Sequence, residues 1–243
     1  MKKITVVGIG PGEEGGMTLA AIAAMRECDI LVGYTKYIEL VSPLFPEKET
    51  FATGMKQETE RCREALRLAD SGRKVALVCS GDSGIYGMAG LVYELSGAFP
   101  EVEIKVVPGV TAASSGAALL GAPLTHDFAV ISLSDLLTPW ELIEKRLRCA
   151  AEAELSIVLY NPSSKKRKDY LQRACDILLE KLSGDTVCGI ASRIGREGET
   201  SCVMTLAELR ETETDMFSTV FIGNPTTKRI GDRMVTPRGY RDV

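Results

Sequence analysis

The chain has 243 residues, 45% of them apolar and 26% charged, which is the balance of a globular protein with one large domain or two smaller ones. Its net charge of −4 and pI of about 5.3 argue against a protein that binds duplex nucleic acid, because such proteins usually carry a basic face and a high pI. No apolar run is long enough to cross a membrane, and the first residues lack the features of a signal peptide, so we expect a cytoplasmic protein without membrane association.

Short apolar runs alternate with glycine turns and helical segments in the first half of the chain. The first run ends at a glycine, as a buried strand with a sharp exit does. Such alternation is typical of a mainly parallel sheet covered by helices, and it predicts an α/β domain. The predicted strands are residues 3–8, 29–32, 74–79 and 103–107, and the predicted helices are residues 17–27, 57–70 and 85–97.

The second half of the chain has a different pattern of apolar runs and turn residues. Gly195 and Gly198 lie between two short strands, which predicts a hairpin and therefore a mixed sheet. We place the boundary in the helix and loop at residues 113–124, which gives an amino-terminal α/β domain of residues 1–115 and a carboxy-terminal mixed-sheet α/β domain of residues 116–243. The predicted strands are residues 130–133, 155–160, 187–191, 201–205 and 219–223, and the predicted helices are residues 139–152 and 167–182.

The first glycine turn has the sequence GIGPG at residues 8–12 and directly follows the first strand. Glycine there allows a positive φ and a close approach to the backbone. The turn is not the dinucleotide fingerprint G-x-G-x-x-G, because the spacing differs, proline removes an amide donor, and no acid follows the second strand to hold a ribose hydroxyl. We therefore expect no nicotinamide cofactor, and a purely structural turn is an alternative for Gly8 and Gly10.

Two further turns follow the third and fourth strands, at residues 80–87 (SGDSGIYG) and 108–115 (PGVTAASS). Ligands of open α/β sheets usually bind at the carboxyl ends of the strands. Asp82 could accept a hydrogen bond from a ligand there, or it could only cap the following helix; the sequence does not separate the two. Three turns at three strand ends predict one shared crevice.

The cysteines and the single histidine limit metal chemistry. The seven cysteines are scattered and no two of them are spaced as in C-x-x-C, so we expect reduced, mostly buried thiols and no metal site. With His126 as the single histidine, a metal site built on several imidazoles is excluded.

The three turns resemble the ligand turns of the tetrapyrrole methylases, and the similarity extends over essentially the whole chain. Within that family, several sequence segments are most similar to those of enzymes that methylate precorrin-3B or cobalt-factor III at C-17. These segments are GYTKY at residues 33–37, TGM at 53–55, LTHDFA at 124–129, ISLSDLLTPW at 131–140 and YNPSS at 160–164.

The resemblance implies two α/β domains with S-adenosylmethionine (SAM) in the cleft between them, a homodimer, and methyl transfer coupled to contraction of the macrocycle. Many relatives have Gly-Gly-Asp-Pro at the second turn, whereas this chain has SGDS at residues 80–83, so the turn keeps Gly-Asp and loses the proline. The implied SAM contacts are Pro11, Gly81, Asp82, Ile85, Thr111 and Ala112 in the first domain, and Tyr160, Ala191, Thr219 and Val220 in the second.

Proton transfer would accompany ring contraction. His126, beside Asp127, is the candidate general acid or base because an unperturbed imidazole titrates near neutral pH. A buried, hydrogen-bonded histidine with a structural role is the alternative.

The substrate would carry many carboxylates, which pair well with lysine and arginine. Lys36, Lys56 and Arg193 are the candidate cations, and Met55 is a candidate contact for the face of the macrocycle. Arg196 and residues 165–168 (KKRK) could also receive carboxylates, although a charge run is usually a solvated surface. Tyr34, Tyr37 and Trp140 could pack on the macrocycle, although isolated residues of this kind are more often core.

Two other functions remain open from the sequence. One is a SAM enzyme acting on another precorrin or on uroporphyrinogen. The other is a non-catalytic adenine-nucleotide-binding module, which would bind SAM without transferring its methyl group. The sequence does not decide whether the substrate is metal-free or contains cobalt.

Overall fold

A computed structural model describes residues 2–164 and 167–241. The chain forms two compact units that divide between Ala112 and Ala113. Both units combine β-sheets with helices, which confirms the predicted α/β class.

The first unit is built on a five-stranded sheet in the order β3-β2-β4-β1-β5, and all neighbouring strands are parallel. Side chains alternate between its two faces: Ile4 and Val6 enter one apolar cluster, whereas Val7 enters the other. Helices cover both faces. Because the five strands are parallel, their carboxyl ends all lie at one edge of the sheet. The elements are β1 (Lys3–Gly8), α1 (Leu19–Glu27), β2 (Ile30–Tyr34), α2 (Thr35–Val41), β3 (Glu49–Thr53), α3 (Glu58–Asp70), β4 (Lys74–Cys79), α4 (Ala89–Leu95) and β5 (Glu103–Val107).

The helix predicted at residues 85–97 is wrong at its amino end, since α4 begins at Ala89. Tyr86 has a φ of 54°, and a Cβ atom at Gly87 would lie 2.3 Å from the carbonyl oxygen of Ser83. The chain therefore makes a tight turn before the helix can begin. Strand β3 and helix α2 were not predicted.

The second unit is built on a mixed sheet in the order β10-β9-β11-β8-β7. Strands β7 and β8 are parallel, and the other neighbouring pairs are antiparallel. The predicted mixed sheet and the hairpin between β9 and β10 are thus confirmed. The elements are α5 (Ala112–Leu120), β6 (Gly121–Ala122), β7 (Phe128–Ser132), α6 (Trp140–Glu152), β8 (Ser156–Tyr160), α7 (Tyr170–Leu179), β9 (Val187–Ser192), β10 (Thr200–Thr205), α8 (Leu206–Arg210), β11 (Ser218–Ile222), β12 (Lys228–Ile230) and β13 (Arg233–Val235).

The core of the second unit lies on both faces of this sheet. Ile157 and Leu159 pack with α6 and α7, whereas Val158 packs with α5 on the other face. A carboxy-terminal hairpin, β12–β13, pairs through β13 with the short strand β6 in a separate three-stranded sheet.

Candidate functional site

The three glycine turns of the first unit meet at the carboxyl edge of its sheet. The amide of Gly10 donates to the Gly81 carbonyl at 3.0 Å, and the amide of Gly81 donates back to the Gly10 carbonyl at 2.8 Å. Both glycines have a positive φ, 67° and 65°, which non-glycine residues adopt rarely. The first two turns are therefore joined backbone to backbone.

The third turn is in contact with the other two through Gly109. A Cβ atom there would lie 2.2 Å from the Gly81 carbonyl oxygen and 2.6 Å from the Gly8 carbonyl carbon. A Cβ atom at Gly8 would lie 2.6 Å from the Gly109 nitrogen. The structure thus brings the three turns together, and only glycine fits where they touch.

The Asp82 carboxylate holds the second and third turns in place. Its Oδ1 accepts from the amides of Gly84 at 2.8 Å and Ile85 at 3.0 Å, and its Oδ2 accepts from the Gly109 amide at 3.0 Å. Since α4 begins only at Ala89, these bonds fix the turn and not the end of the helix. Asp82 therefore has a clear structural task, and a carboxylate has lone pairs left for a ligand.

The other SAM candidates of the first unit border this cluster. Pro11, Thr111 and Ala112 are half-buried, and the Ile85 side chain is 42% exposed. The backbone of Thr111 and Ala112 lies next to Gly81, with the Thr111 Cα 3.7 Å from the place of a Gly81 Cβ atom.

The candidates of the second unit lie together at one end of its sheet. Thr219 is opposite Ala191, and Val220 is opposite Leu159, the neighbour of Tyr160. The Tyr160 hydroxyl accepts from the Ala113 amide at 2.7 Å and so ties the end of β8 to the start of α5. Ala191, Thr219 and Val220 are buried, and Tyr160 is half-buried.

Unusual backbone conformations follow the strands that carry these candidates. Five non-glycine residues in the described part of the chain have a positive φ, and four of them follow β3, β4, β8 and β9. Strained residues of this kind cluster at functional sites when the surrounding structure holds them in place. The four are Lys56, Tyr86, Asn161 and Arg193.

His126 and Asp127 lie at the other end of the second sheet, just before β7. Both residues are exposed, and they line an open cavity of about 1330 Å³ together with the carboxy-terminal hairpin. The Asp127 carbonyl accepts from the Ser156 amide, and Tyr160 is four residues further along β8, about 13 Å away. The structure therefore does not bring His126 and Asp127 together with Tyr160.

The candidate substrate residues differ in how free their side chains are. The Lys36 ammonium is 2.7 Å from Glu39, and the hydrogen bond to this carboxylate raises the pKa of the lysine. Lys56 has an exposed side chain with no ion-pair partner in the described residues, and Met55 beside it is 51% exposed. Arg193 is exposed at the carboxyl end of β9.

The remaining substrate candidates are Arg196 and residues 165–168. Lys165 and Lys166 are outside the described residues, and Arg167 forms an ion pair with Asp135. The guanidinium of Arg196 lies over the Phe217 ring, and Lys168 is exposed.

The candidate aromatic residues mostly contact each other or the core. The Tyr34 and Tyr37 rings meet edge to face at 5.2 Å. Trp140 packs on the apolar core of the second unit and under Arg173, which fits the core interpretation.

All seven cysteines are free thiols, five of them buried. Burial raises the pKa of Cys28 and Cys79 to about 11 and that of Cys62 and Cys175 to about 12. Such thiols stay protonated at neutral pH and are poor nucleophiles. No group of three metal-ligating side chains is found within residues 2–164 and 167–241.

No helix in the same residues combines the length and apolarity that crossing a bilayer requires.

Arg61, which is buried in α3, was not predicted from the sequence. The charged residues around it make α3 look like an exposed helix. One signal was available: Arg61, Ala65 and Ala69 recur every four residues and so share the buried stripe of the helix.

Comparisons with known proteins agree with this architecture. A probable cobalt-factor III C(17)-methyltransferase of Salmonella typhimurium is 48% identical over 238 residues, which cover 98% of this chain and 99% of the relative. A precorrin-3B C(17)-methyltransferase of a Sinorhizobium species is 39% identical over 97% of this chain and 96% of its own. The crystal structure of the methyltransferase CobJ superposes with a TM-score of 0.89 at 37% identity, covering 96% of this chain and 99% of that one.

The model of one protein family matches residues 3–210. Together with the relatives that align from end to end, this match shows that the chain belongs to the tetrapyrrole (corrin/porphyrin) methylases.

Proposed function

We propose that this protein methylates C-17 of precorrin-3B or cobalt-factor III, with SAM as the methyl donor, in a step coupled to ring contraction in cobalamin biosynthesis. The observation that carries the proposal is the end-to-end similarity to relatives named for this reaction, at 48% and 39% identity. The cytoplasmic location and the homodimer rest on the sequence and the family resemblance.

The glycine turns of the first unit fit SAM. Where they meet, the backbone of Gly81, Thr111 and Ala112 is half-buried and the side chain of Ile85 is exposed, and an adenosine group is proposed to bind there. Asp82 bonds the amides of Gly84, Ile85 and Gly109 in the same two turns, so less of the turns is left for the ligand to order. Pro11 is proposed to border the same group, and Tyr160, Ala191, Thr219 and Val220 stay predicted SAM contacts.

SAM supplies an activated methyl group, so the protein's main task is alignment of the two reactants. Exposed Lys56 and Arg193 are proposed to bind peripheral carboxylates of the macrocycle, and Met55 its apolar face. Lys36 is the weaker candidate, because a substrate carboxylate would have to displace Glu39. His126 with Asp127 stays the predicted proton-transfer pair.

The test is incubation with methyl-labelled SAM and either precorrin-3B or cobalt-factor III under anaerobic conditions, followed by mass and absorbance. Label in the macrocycle together with a contracted-ring spectrum is the expected result, and the preferred substrate decides whether cobalt is present. SAM binding without label in either compound would overturn the C-17 assignment. Transfer to uroporphyrinogen or another precorrin would then identify a different methylase of the family, and no transfer to any of them a non-catalytic module.

A further inference from the structure

Arg61 is a buried cation in the first unit. Its side chain belongs to the buried stripe of α3 and the residue is 2% exposed. No carboxylate of the described chain forms an ion pair with it. Burying a guanidinium is costly unless its donors are satisfied, so the groups around Arg61 must accept its hydrogen bonds.

The guanidinium of Arg61 donates hydrogen bonds to groups at the carboxyl edge of the first sheet. Nε donates to the Thr53 hydroxyl at 2.8 Å, Nη2 donates to the Gly54 carbonyl at 2.8 Å, and Nη1 lies 3.4 Å from the Met88 sulfur. The Tyr34 ring is 5.8 Å away, within reach of a cation–π interaction. One side chain thus connects the ends of β2 and β3 with the segment that follows the second glycine turn.

The turn that Arg61 holds presents two of the candidate substrate residues. Beyond Gly54, the side chain of Met55 is 51% exposed, and that of Lys56 is exposed and forms no ion pair within the described part of the chain. The Lys56 backbone has a φ of 67°, which is strained for a lysine. Gln57 also accepts from the Gly54 amide at 2.7 Å, so the turn is held from two sides.

We propose that Arg61 is a positioning residue for the tetrapyrrole. It holds the turn of residues 54–56 so that Met55 meets the apolar face of the macrocycle and Lys56 meets a peripheral carboxylate. The Glu58 carboxylate also accepts from the Lys56 amide at 3.3 Å, which further fixes the backbone of this turn. The inference rests on the proposed function, since the substrate class comes from there.

The planar fork of arginine is needed because two donors reach acceptors on neighbouring residues, Thr53 and Gly54, at the same time. A lysine keeps the charge but not the fork, and a methionine keeps most of the volume without charge or donors. Arg61→Lys and Arg61→Met therefore separate the charge from the geometry.

We expect Arg61→Met to raise the KM for the tetrapyrrole about tenfold, because the loss of one charged contact with a substrate carboxylate weakens binding by about this factor. SAM affinity, measured by calorimetry, should stay within about twofold, and kcat should change less than KM. Arg61→Lys should lie in between. The matched control is Arg67→Met on the same helix, where an exposed arginine pairs with Glu64 and KM should not change.

A double variant tests the route through Lys56. If Arg61 acts by placing Lys56, then Arg61→Met in a Lys56→Met background should raise KM by less than it does alone. Full additivity, an unchanged KM in folded Arg61→Met, or an equal loss of SAM affinity would each overturn the inference. If Arg61→Met does not fold, Thr53→Val removes one acceptor of the fork and should still raise KM. Wild-type protein that transfers no methyl group would instead refute the proposed function.

Discussion

The glycine turns of the first unit and the cavity around His126 in the second unit are built in opposite ways. Among the turns, the backbones of Gly8, Gly81 and Gly109 are in contact, and Asp82 adds three hydrogen bonds to amides. At the cavity, His126 and Asp127 are exposed, and no hydrogen bond to either side chain is found in the described residues.

Because of this difference, we expect the two regions to tolerate substitutions unequally. Backbone contacts leave no space for a side chain and cannot relax without moving three strand ends at once. An exposed side chain beside an open cavity can be removed without leaving a void. Stability should therefore respond strongly to substitutions among the turns and weakly to those at the cavity, whatever the two regions bind.

Gly109→Ala should have the largest effect. Its Cβ atom would lie 2.2 Å from the Gly81 carbonyl oxygen, so the turns must separate. We expect the free energy of unfolding to fall by about 3 kcal/mol, in the upper part of the range for overpacking, as measured by urea denaturation. SAM affinity should fall with it, because the displaced turns carry the proposed contacts.

Gly90→Ala is the matched control for this substitution. Gly90 lies in α4, and a Cβ atom there would meet nothing within 4 Å. Alanine is the better helix former, so stability should rise by about 0.5–1 kcal/mol. Equal effects of the two substitutions would refute the account of the turns.

Asp82→Ala should have the second largest effect. It leaves three amides without their charged acceptor, which we expect to lower the free energy of unfolding by about 2 kcal/mol. Denaturation and calorimetry with SAM separate the two roles that the sequence left open. A loss of SAM affinity at unchanged stability would mean that Asp82 is a ligand contact and that its hydrogen bonds to the turns are dispensable.

Tyr160→Phe should have a smaller effect, at the opposite end of β8 from the His126 cavity. It removes the acceptor of the Ala113 amide, a residue that is 2% exposed, and we expect a loss of about 1 kcal/mol. Tyr93→Phe is the control, because that side chain is 54% exposed and its loss should stay within about 0.5 kcal/mol. Identical unfolding midpoints would show that the bond to Ala113 contributes nothing.

Much of the first sheet could be predicted, because its central strands are short apolar runs that end at turn residues. Strand β3 could not, since its sequence ETFAT has no β-branched apolar residue, whereas the other edge strand, β5 (EIKVV), contains three. Without an apolar run or strict alternation, neither face of an edge strand leaves a pattern in the sequence.

The candidate site, like the first sheet, could be predicted only in part. The glycine turns were predictable because a positive φ or a backbone contact requires glycine locally, and this requirement is visible at Gly10 and Gly81. The burial of Arg61 and the placing of His126 beside the carboxy-terminal hairpin depend on which distant segments pack together. Periodicity on one helix contains that information only in part.

His126→Ala should have the smallest effect on stability, below about 0.5 kcal/mol, because the side chain is exposed. Its catalytic effect is a separate matter: a proton-transfer role predicts a kcat lower by about a hundredfold at unchanged SAM affinity. A higher tetrapyrrole KM with the same kcat would make His126 a substrate contact instead. If both constants stay the same, His126 has no part in the mechanism, and proton transfer must then be assigned to a group nearer the carboxyl end of β8, where the proposed SAM contact Tyr160 lies.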